Sequence, residues 1–383
     1  MGTSVNNPVH VLVVDDSALM RNLVSKIIQS TTDMVVVGTA MNGRFALNKL
    51  DSLKPDILVL DIEMPEMNGI EFLKERKARG IDIPVIILSS VAQKGAAVTM
   101  EALNLEASDF IMKPSGSISE DIHLIGAQLI ELVRYHGRHY QNRHPEMIRT
   151  SIPEPVVIDH STPIPPFRYP IAEPVPPKPP IPVVPEGNPG ILEIIAIGIS
   201  TGGPNALRKV FADLDPKLKV PILVVQHMPA GFTTEFAKSL DRICPLDVKE
   251  AAEGDLIRPG RILIAPGDYH ITVERKPLAA ILHLNSKSTV NGHRPSADVL
   301  FESVGETYGN RAMAVIMTGM GRDGAQKISL IYKAGGITLG QDEASSVVYG
   351  MPRVAYENGF ITKQVALNDM AATICDYAQK LRP

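Results

Sequence analysis

The sequence predicts an α/β protein built as two doubly wound parallel-sheet domains joined by a proline-rich linker. Two observations carry this. Short apolar runs alternate with helical patterns along two separate stretches, which is the pattern of parallel strands covered by helices on both faces. Between them, from about His144 to Gly190, stand roughly half of the chain's 31 prolines, and such a composition sustains neither helix nor central strand. The 383 residues exceed one ordinary domain. The boundaries expected are 1–140, 141–190 and 191–383.

In the first domain the strands are Val11–Val14, Val35–Val37, Ile57–Leu60, Val85–Leu88 and Phe110–Met112. They give five βα units of flavodoxin-like type, whose ligands sit at the carboxyl ends of the strands. The linker, with Pro174-Val175-Pro176-Pro177-Lys178-Pro179-Pro180 at its centre, reads as a polyproline spacer or as a docking motif for a proline-binding partner. From Ile191 onward the strand candidates are Ile194–Ile197, Ile222–Val225, Ile262–Ile264, Ala314–Met317 and Ile337–Leu339. Tyr269–Val273 followed by Ala279–Leu284 departs from the alternation and predicts an inserted antiparallel hairpin.

Composition narrows the function. A net charge of -4 without long basic or acidic runs gives no electrostatic reason for a nucleic-acid partner or for membrane insertion. No apolar run approaches the ~18 residues of a membrane span, and Met1–Pro8 lacks a signal-peptide core, so a cytoplasmic protein is expected. Cys244 and Cys375 stand far apart with no metal-ligand partner at short spacing, which suggests neither a disulfide framework nor a zinc site.

Five groups converge on one edge of the first sheet. Asp15 and Asp16 close the first strand, Asp61 the third, Ser89 the fourth and Lys113 the fifth. Three carboxylates in one cleft repel one another, and a hard cation such as Mg²⁺ relieves that repulsion. Asp61 is then the phosphoryl acceptor, with Lys113 and the Ser89 hydroxyl stabilising the transferred oxygens. Taken singly, each acid is as well read as a helix cap or solvated loop residue.

In the second domain Gly198-Ile199-Ser200-Thr201-Gly202-Gly203 follows a strand and opens a helix near Pro204. On its own residues this turn either presents a nucleophilic serine or cradles a phosphate. His227 ends the next strand, and Thr318-Gly319-Met320-Gly321-Arg322-Asp323-Gly324 follows a later one. If those strands are neighbours, their carboxyl ends bring Ser200, His227 and Asp323 together. A phosphate loop explains the serine alone, whereas an acyl-transfer site explains all three. The order Ser, His, Asp differs from the Ser, Asp, His of α/β-hydrolases, so that fold is not implied. Oxyanion donors are available from the backbone at Thr201–Gly203 and Met320–Gly321. A further stretch, His293-Arg294-Pro295-Ser296, offers Ser296 as the N-cap of a helix from Ala297, and leaves Arg294 to an acidic substrate surface, to packing or to loop structure. Val347-Val348-Tyr349 reads as core.

The motifs of the first domain, Val13-Val14-Asp15-Asp16-Ser17, Leu60-Asp61-Ile62-Glu63-Met64-Pro65, Asn68-Gly69, Leu88-Ser89-Ser90 and Lys113-Pro114, resemble the response-regulator receiver family. The resemblance implies phosphorylation of Asp61 by a histidine kinase, Ser89 as the switch hydroxyl, bound Mg²⁺ and a cis Lys113–Pro114 bond. The second domain, with Ile197–Gly203, Gln226-His227-Met228, Thr318–Gly324 and Val348-Tyr349-Gly350-Met351-Pro352, resembles the catalytic domain of the bacterial chemotaxis protein-glutamate methylesterases. That resemblance implies Ser200 as nucleophile, His227 as base, Asp323 as its orienting partner, and Met320 as a backbone oxyanion donor. It implies glutamyl methyl esters of chemoreceptors as substrate, receptor glutamines as a second one, and no cofactor in this domain. Receiver then esterase is that family's domain order, and it implies inhibition relieved by phosphorylation. The linker is longer and richer in proline than the family's usual tether, which predicts weaker basal inhibition. The alternative is a response regulator whose second domain binds a nucleotide or partner without catalysis.

Overall fold

The computed structural model describes residues 7–89, 93–113, 121–145 and 178–382. The chain divides into two compact units between Val175 and Pro176. The first contains β1 (Val9–Val14), α1 (Ala18–Gln29), β2 (Met34–Ala40), α2 (Gly43–Leu53), β3 (Ile57–Asp61), α3 (Gly69–Ala78), β4 (Val85–Ser89), α4 (Gln93–Asn104), β5 (Asp109–Met112) and α5 (Asp121–Arg143). Its sheet has the order β2-β1-β3-β4-β5, parallel throughout. Every residue of β1 and β3 is buried, as required of strands covered on both faces, and this is why they read as unbroken apolar runs. α3 opens on a capping box between Asn68 and Glu71. A Cβ at Gly69 would stand 2.5 Å from the Asp61 carbonyl oxygen, so glycine lets α3 start hard against the end of β3. The helix α5 continues past the limit expected at 140. The Lys113–Pro114 bond lies outside the described residues.

The second unit contains β6 (Ile194–Ile199), α6 (Gly203–Ala212), β7 (Ile222–Gln226), α7 (Phe232–Asp241), β8 (Asp247–Glu250), β9 (Leu256–Ile257), β10 (Arg261–Ile264), β11 (His270–Arg275) and β12 (Ala280–Asn285). It continues with α8 (Ala297–Tyr308), β13 (Ala312–Ile316), α9 (Ile328–Lys333), β14 (Ile337–Gln341), α10 (Met351–Glu357), β15 (Lys363–Val365) and α11 (Leu367–Lys380). Seven parallel strands run in the order β15-β14-β13-β6-β7-β10-β8. From β6 the chain builds outward through β7 and β10, and later returns to add β13 and β14 on the other side. The sheet's switch point therefore falls between β6 and β13, where doubly wound sheets form their crevice. The expected hairpin is β11–β12, and β9 joins it as a third antiparallel strand. α8 lies against β6 closely: a Cβ at Gly198 would come 2.7 Å from that of Ala297.

Residues 178–190, expected to be linker, are bound to the second unit. The Ile181 and Glu186 N–H groups donate to the Glu357 and Lys333 carbonyls (3.1 and 2.7 Å), and the Tyr332 hydroxyl donates to Val183 O (3.0 Å). The Gly190 N–H donates to Asn310 O (3.0 Å), and Asn310 Nδ2 to Asn188 O (2.9 Å). Gly359, at φ +76, lies under Ile181 so closely that any Cβ would collide with its carbonyl at 1.9 Å.

Candidate active site

At the carboxyl edge of the first sheet, Asp15 and Asp61 are buried and Asp16 is exposed. Lys113 Nζ bridges Asp15 Oδ2 and Asp61 Oδ2 at 2.9 and 2.8 Å. Burial pushes the Asp61 carboxyl up to about 6; Lys113 opposes the rise and the neighbouring Asp15 adds to it. Lys113 itself is raised: burial would lower it, but the two carboxylates outweigh that. One oxygen from each of Asp15, Asp16 and Asp61 lies within 4.8 Å of the others. This all-oxygen set, open on the Asp16 side, fits a hard divalent cation that keeps several waters. Arg21 Nη1 donates to the carbonyls of Asp15 and Asp16 and fixes the loop that carries them. Ser89 ends β4 as expected, but its Oγ lies 2.6 Å from Thr99 Oγ1 on α4. Thr99 spends its one hydroxyl proton on Gly95 O, so Ser89 is the donor of that pair. Nothing in the sequence marks Thr99, because a buried threonine inside a helix carries no signal of its own.

At the carboxyl edge of the second sheet, β13, β6 and β7 are adjacent, so the turns after them share one crevice. His227 Nδ1 lies 3.0 Å from Ser200 Oγ, and His227 Nε2 lies 2.8 Å from Asp323 Oδ2. The three predicted residues thus form one hydrogen-bonded chain. With Asp323 accepting, the proton belongs on Nε2 and leaves Nδ1 bare toward the serine; the two ring nitrogens exchange the roles they have in serine proteases. Asp323 is buried. Burial alone would raise its carboxyl, but His227, Ser296 and Asn291 hold it well below the usual carboxylate range. Ser296 Oγ and the Ala297 N–H donate to it at 2.7 and 2.6 Å, and Asn291 Nδ2 at 3.0 Å. The carboxylate therefore sits at the N-terminus of α8, where the helix favours negative charge.

The His293–Ser296 stretch keeps the N-cap position expected of Ser296 and the loop role open to Arg294. Ser296 occupies the N-cap position of α8, yet its side chain caps nothing and serves Asp323 instead. Arg294 donates to the carbonyls of Ser286 and Lys287, which makes it a loop brace. Val347, Val348 and Tyr349 are half-buried, not core. Their backbone instead supports the neighbouring turn, with Gly319 N donating to Val348 O and Val348 N to Thr318 Oγ1. Gln226 donates through Nε2 to the Ser200 and His227 carbonyls (3.0 and 3.1 Å) and ties the two turns together.

The backbone donors at this edge divide into used and free. Ser200 N, Gly203 N and Gly319 N are committed to Thr318 O, Ser200 O and Val348 O. Gly203 therefore leaves the candidate oxyanion set. Among the described residues, no backbone hydrogen bond engages the N–H of Thr201 or Met320. Met320 is 39% exposed while Thr201 is buried.

A receiver-type sheet followed by an α/β unit carrying a linked serine, histidine and aspartate defines a class: response regulators whose output unit is a hydrolase. The family described as CheB methylesterase matches residues 195–374, and the response regulator receiver domain matches 11–122. A Treponema denticola protein named protein-glutamate methylesterase/protein-glutamine glutaminase is 52% identical, over 97% of this chain and 99% of its own. A Treponema pallidum protein of the same name is 49% identical, over 97% and 98%. The crystal structure of the Thermotoga maritima CheB methylesterase catalytic domain is 34% identical, covering 49% of this chain and 98% of that one, with a TM-score of 0.48. The chain belongs to the protein-glutamate methylesterase/protein-glutamine glutaminase family, an enzyme family, and a non-catalytic output domain is not favoured. Among the described residues no helix is long and apolar enough to cross a membrane.

Proposed function

We propose that this chain hydrolyses glutamyl methyl esters on the cytoplasmic helices of chemoreceptors, and deamidates certain receptor glutamines, under control of phosphorylation at Asp61. The observation that carries the reading is the unbroken Ser200–His227–Asp323 chain at the edge of three adjacent strands. The ester and amide classes come from the name borne by its relatives. Ser200 Oγ attacks the ester carbonyl carbon while His227 Nδ1 takes the hydroxyl proton. Asp323 steadies the resulting imidazolium from Nε2, and the free N–H groups of Met320 and Thr201 receive the oxyanion. The carbon–oxygen bond to the methoxy group breaks, and methanol leaves with the proton from Nδ1. Water then attacks the acyl-enzyme by the same route, giving glutamate and restoring Ser200. With a glutamine substrate ammonia leaves in place of methanol.

On the first unit, an oxygen of Asp61 attacks the phosphorus of a histidine kinase phosphohistidine; the phosphorus–nitrogen bond breaks and an acyl phosphate forms. Asp15, Asp16 and Asp61 would hold Mg²⁺, which when bound neutralises charge on the transferred oxygens. Lys113 meets one of those oxygens, and the Ser89 hydroxyl turns from Thr99 to meet another. Receptor helices of this kind place the protein in the cytoplasm. The test is methanol release from methyl-labelled receptors, with and without a small phosphodonor. Ser200→Ala and His227→Ala should each lower release by about a thousandfold or more. Unchanged release in both variants would refute the reading.

A further inference from the structure

His293 stands outside the hydrogen-bonded chain yet touches its centre. Its imidazole lies parallel to that of His227, with ring centroids 3.7 Å apart and an interplanar angle of 11°. A tight turn delivers it. Val290 and His293 exchange both backbone hydrogen bonds (3.0 and 2.9 Å), and the two residues between them, Asn291 and Gly292, have φ of +53 and +81. Positive φ at both central positions is the geometry that an Asn-Gly pair favours. Asn291 reaches from the same turn to Asp323 Oδ1 and Asp298 Oδ2 (3.0 and 2.7 Å). One turn therefore addresses both the histidine and the aspartate of the chain.

The imidazole is tethered through Cβ, and rotation about its side-chain bonds would swing Nδ1 and Nε2 away from Ser200 and Asp323. A flat group pressed on the ring's face stops that swing. Burial, reinforced by the nearby His227, pushes His293 down to about 4, against which Asp323 pulls only weakly. At neutral pH it is uncharged and does not oppose positive charge on the ring beneath it.

We propose that His293 is a positioning residue, a neutral plate that holds the plane of His227 so that Nδ1 stays aimed at Ser200. This rests on the reading of Ser200, His227 and Asp323 given above. The test compares His293→Phe, which keeps a flat face, with His293→Leu, which keeps apolar bulk without one, both in the full chain. The phenylalanine variant should retain kcat within about threefold, and the leucine variant should lose at least about tenfold in kcat with KM unchanged. In spectra of ¹⁵N-histidine-labelled protein, His227 should remain the Nε2-protonated tautomer in wild type and His293→Phe, and should average between tautomers in His293→Leu. Wild-type kcat in the leucine variant, or an equal loss in both, overturns the proposal. Should the leucine variant fail to fold, the phenylalanine variant decides alone: near-wild-type kcat supports the plate, and a tenfold loss excludes it. Full turnover in Ser200→Ala would instead overturn the underlying reading, whatever His293 does.

Discussion

Asp61 and Asp323 are both buried aspartates, and their surroundings drive them in opposite directions. Around Asp323 the donors of His227, Ser296, Asn291 and α8 outweigh burial, so the group stays ionised and can face an imidazolium. Around Asp61 burial and the neighbouring Asp15 outweigh Lys113. The second balance has a consequence for stability. Because the Asp61 carboxyl is raised to about 6, its contribution is full below the ordinary carboxylate range and is lost as pH rises through about 6. In metal-free protein the first unit should therefore lose about 2 kcal/mol between pH 4 and pH 7 from this group. Asp61→Asn should remove that loss, leaving the variant more stable than wild type at pH 7 and equal to it near pH 4. Calorimetric scans of both proteins in chelator check this; a wild type as stable as the variant at pH 7 would show that Lys113 offsets the burial. The positions of the two sites were legible in the residues that chemistry demands by type, Asp61, Ser200 and His227. They were not legible in Thr99, Gln226 or His293, whose types are compatible with many environments and whose importance lies in what they touch.

At the scale of elements, the strand alternation foretold both sheets and the neighbourhood of β6 and β7, since consecutive βα strands usually pair. That β13 flanks β6 on the other side could not be read directly, because sequence separation says nothing about which edge a returning chain joins. The hairpin β11–β12 was visible in its alternating pattern. By contrast β8, β9 and β15 were missed: they are short edge strands with polar or exposed residues, and an edge strand need not be apolar. The Val290–His293 turn had a signal, Asn291-Gly292, that went unused because no apolar strands flank it. Gly292 has no atoms within 4 Å of a would-be Cβ, so a substitution there acts through backbone strain alone. Gly292→Val should destabilise the second unit by about 1–3 kcal/mol and lower kcat with it, since Asn291 and His293 lose their placement together. Thermal unfolding and ester turnover measured on the same sample check this. Full activity in a destabilised variant would separate the turn from the site.

At the scale of the whole molecule, composition predicts a break between two domains at the proline-rich stretch, and the chain divides into two compact units between Val175 and Pro176. What composition could not say is where the break stops, because polyproline chain looks the same whether it is solvated or laid on a surface. A fragment beginning at Lys178 should keep the contacts to Tyr332, Lys333, Asn310 and Glu357, while one beginning at Gly190 loses nearly all of them. The shorter fragment should be less stable by about 1–3 kcal/mol, since a net hydrogen bond is worth about 1 kcal/mol and the prolines reduce the entropy lost on ordering. Equal thermal midpoints for the two fragments would mean that the strap adds nothing.

The strap also changes how length variation in this region should be interpreted. Gly359 and Gly335 give way to it at two fixed points, beneath Ile181 and beside Gly187. Adding or removing a residue between those points shifts each carbonyl and N–H away from its partner, much as a dropped stitch shifts a row. The same part of the chain that looks in sequence like filler is thus held in register, and its spacing is as much a property of the catalytic unit as the spacing of any strand.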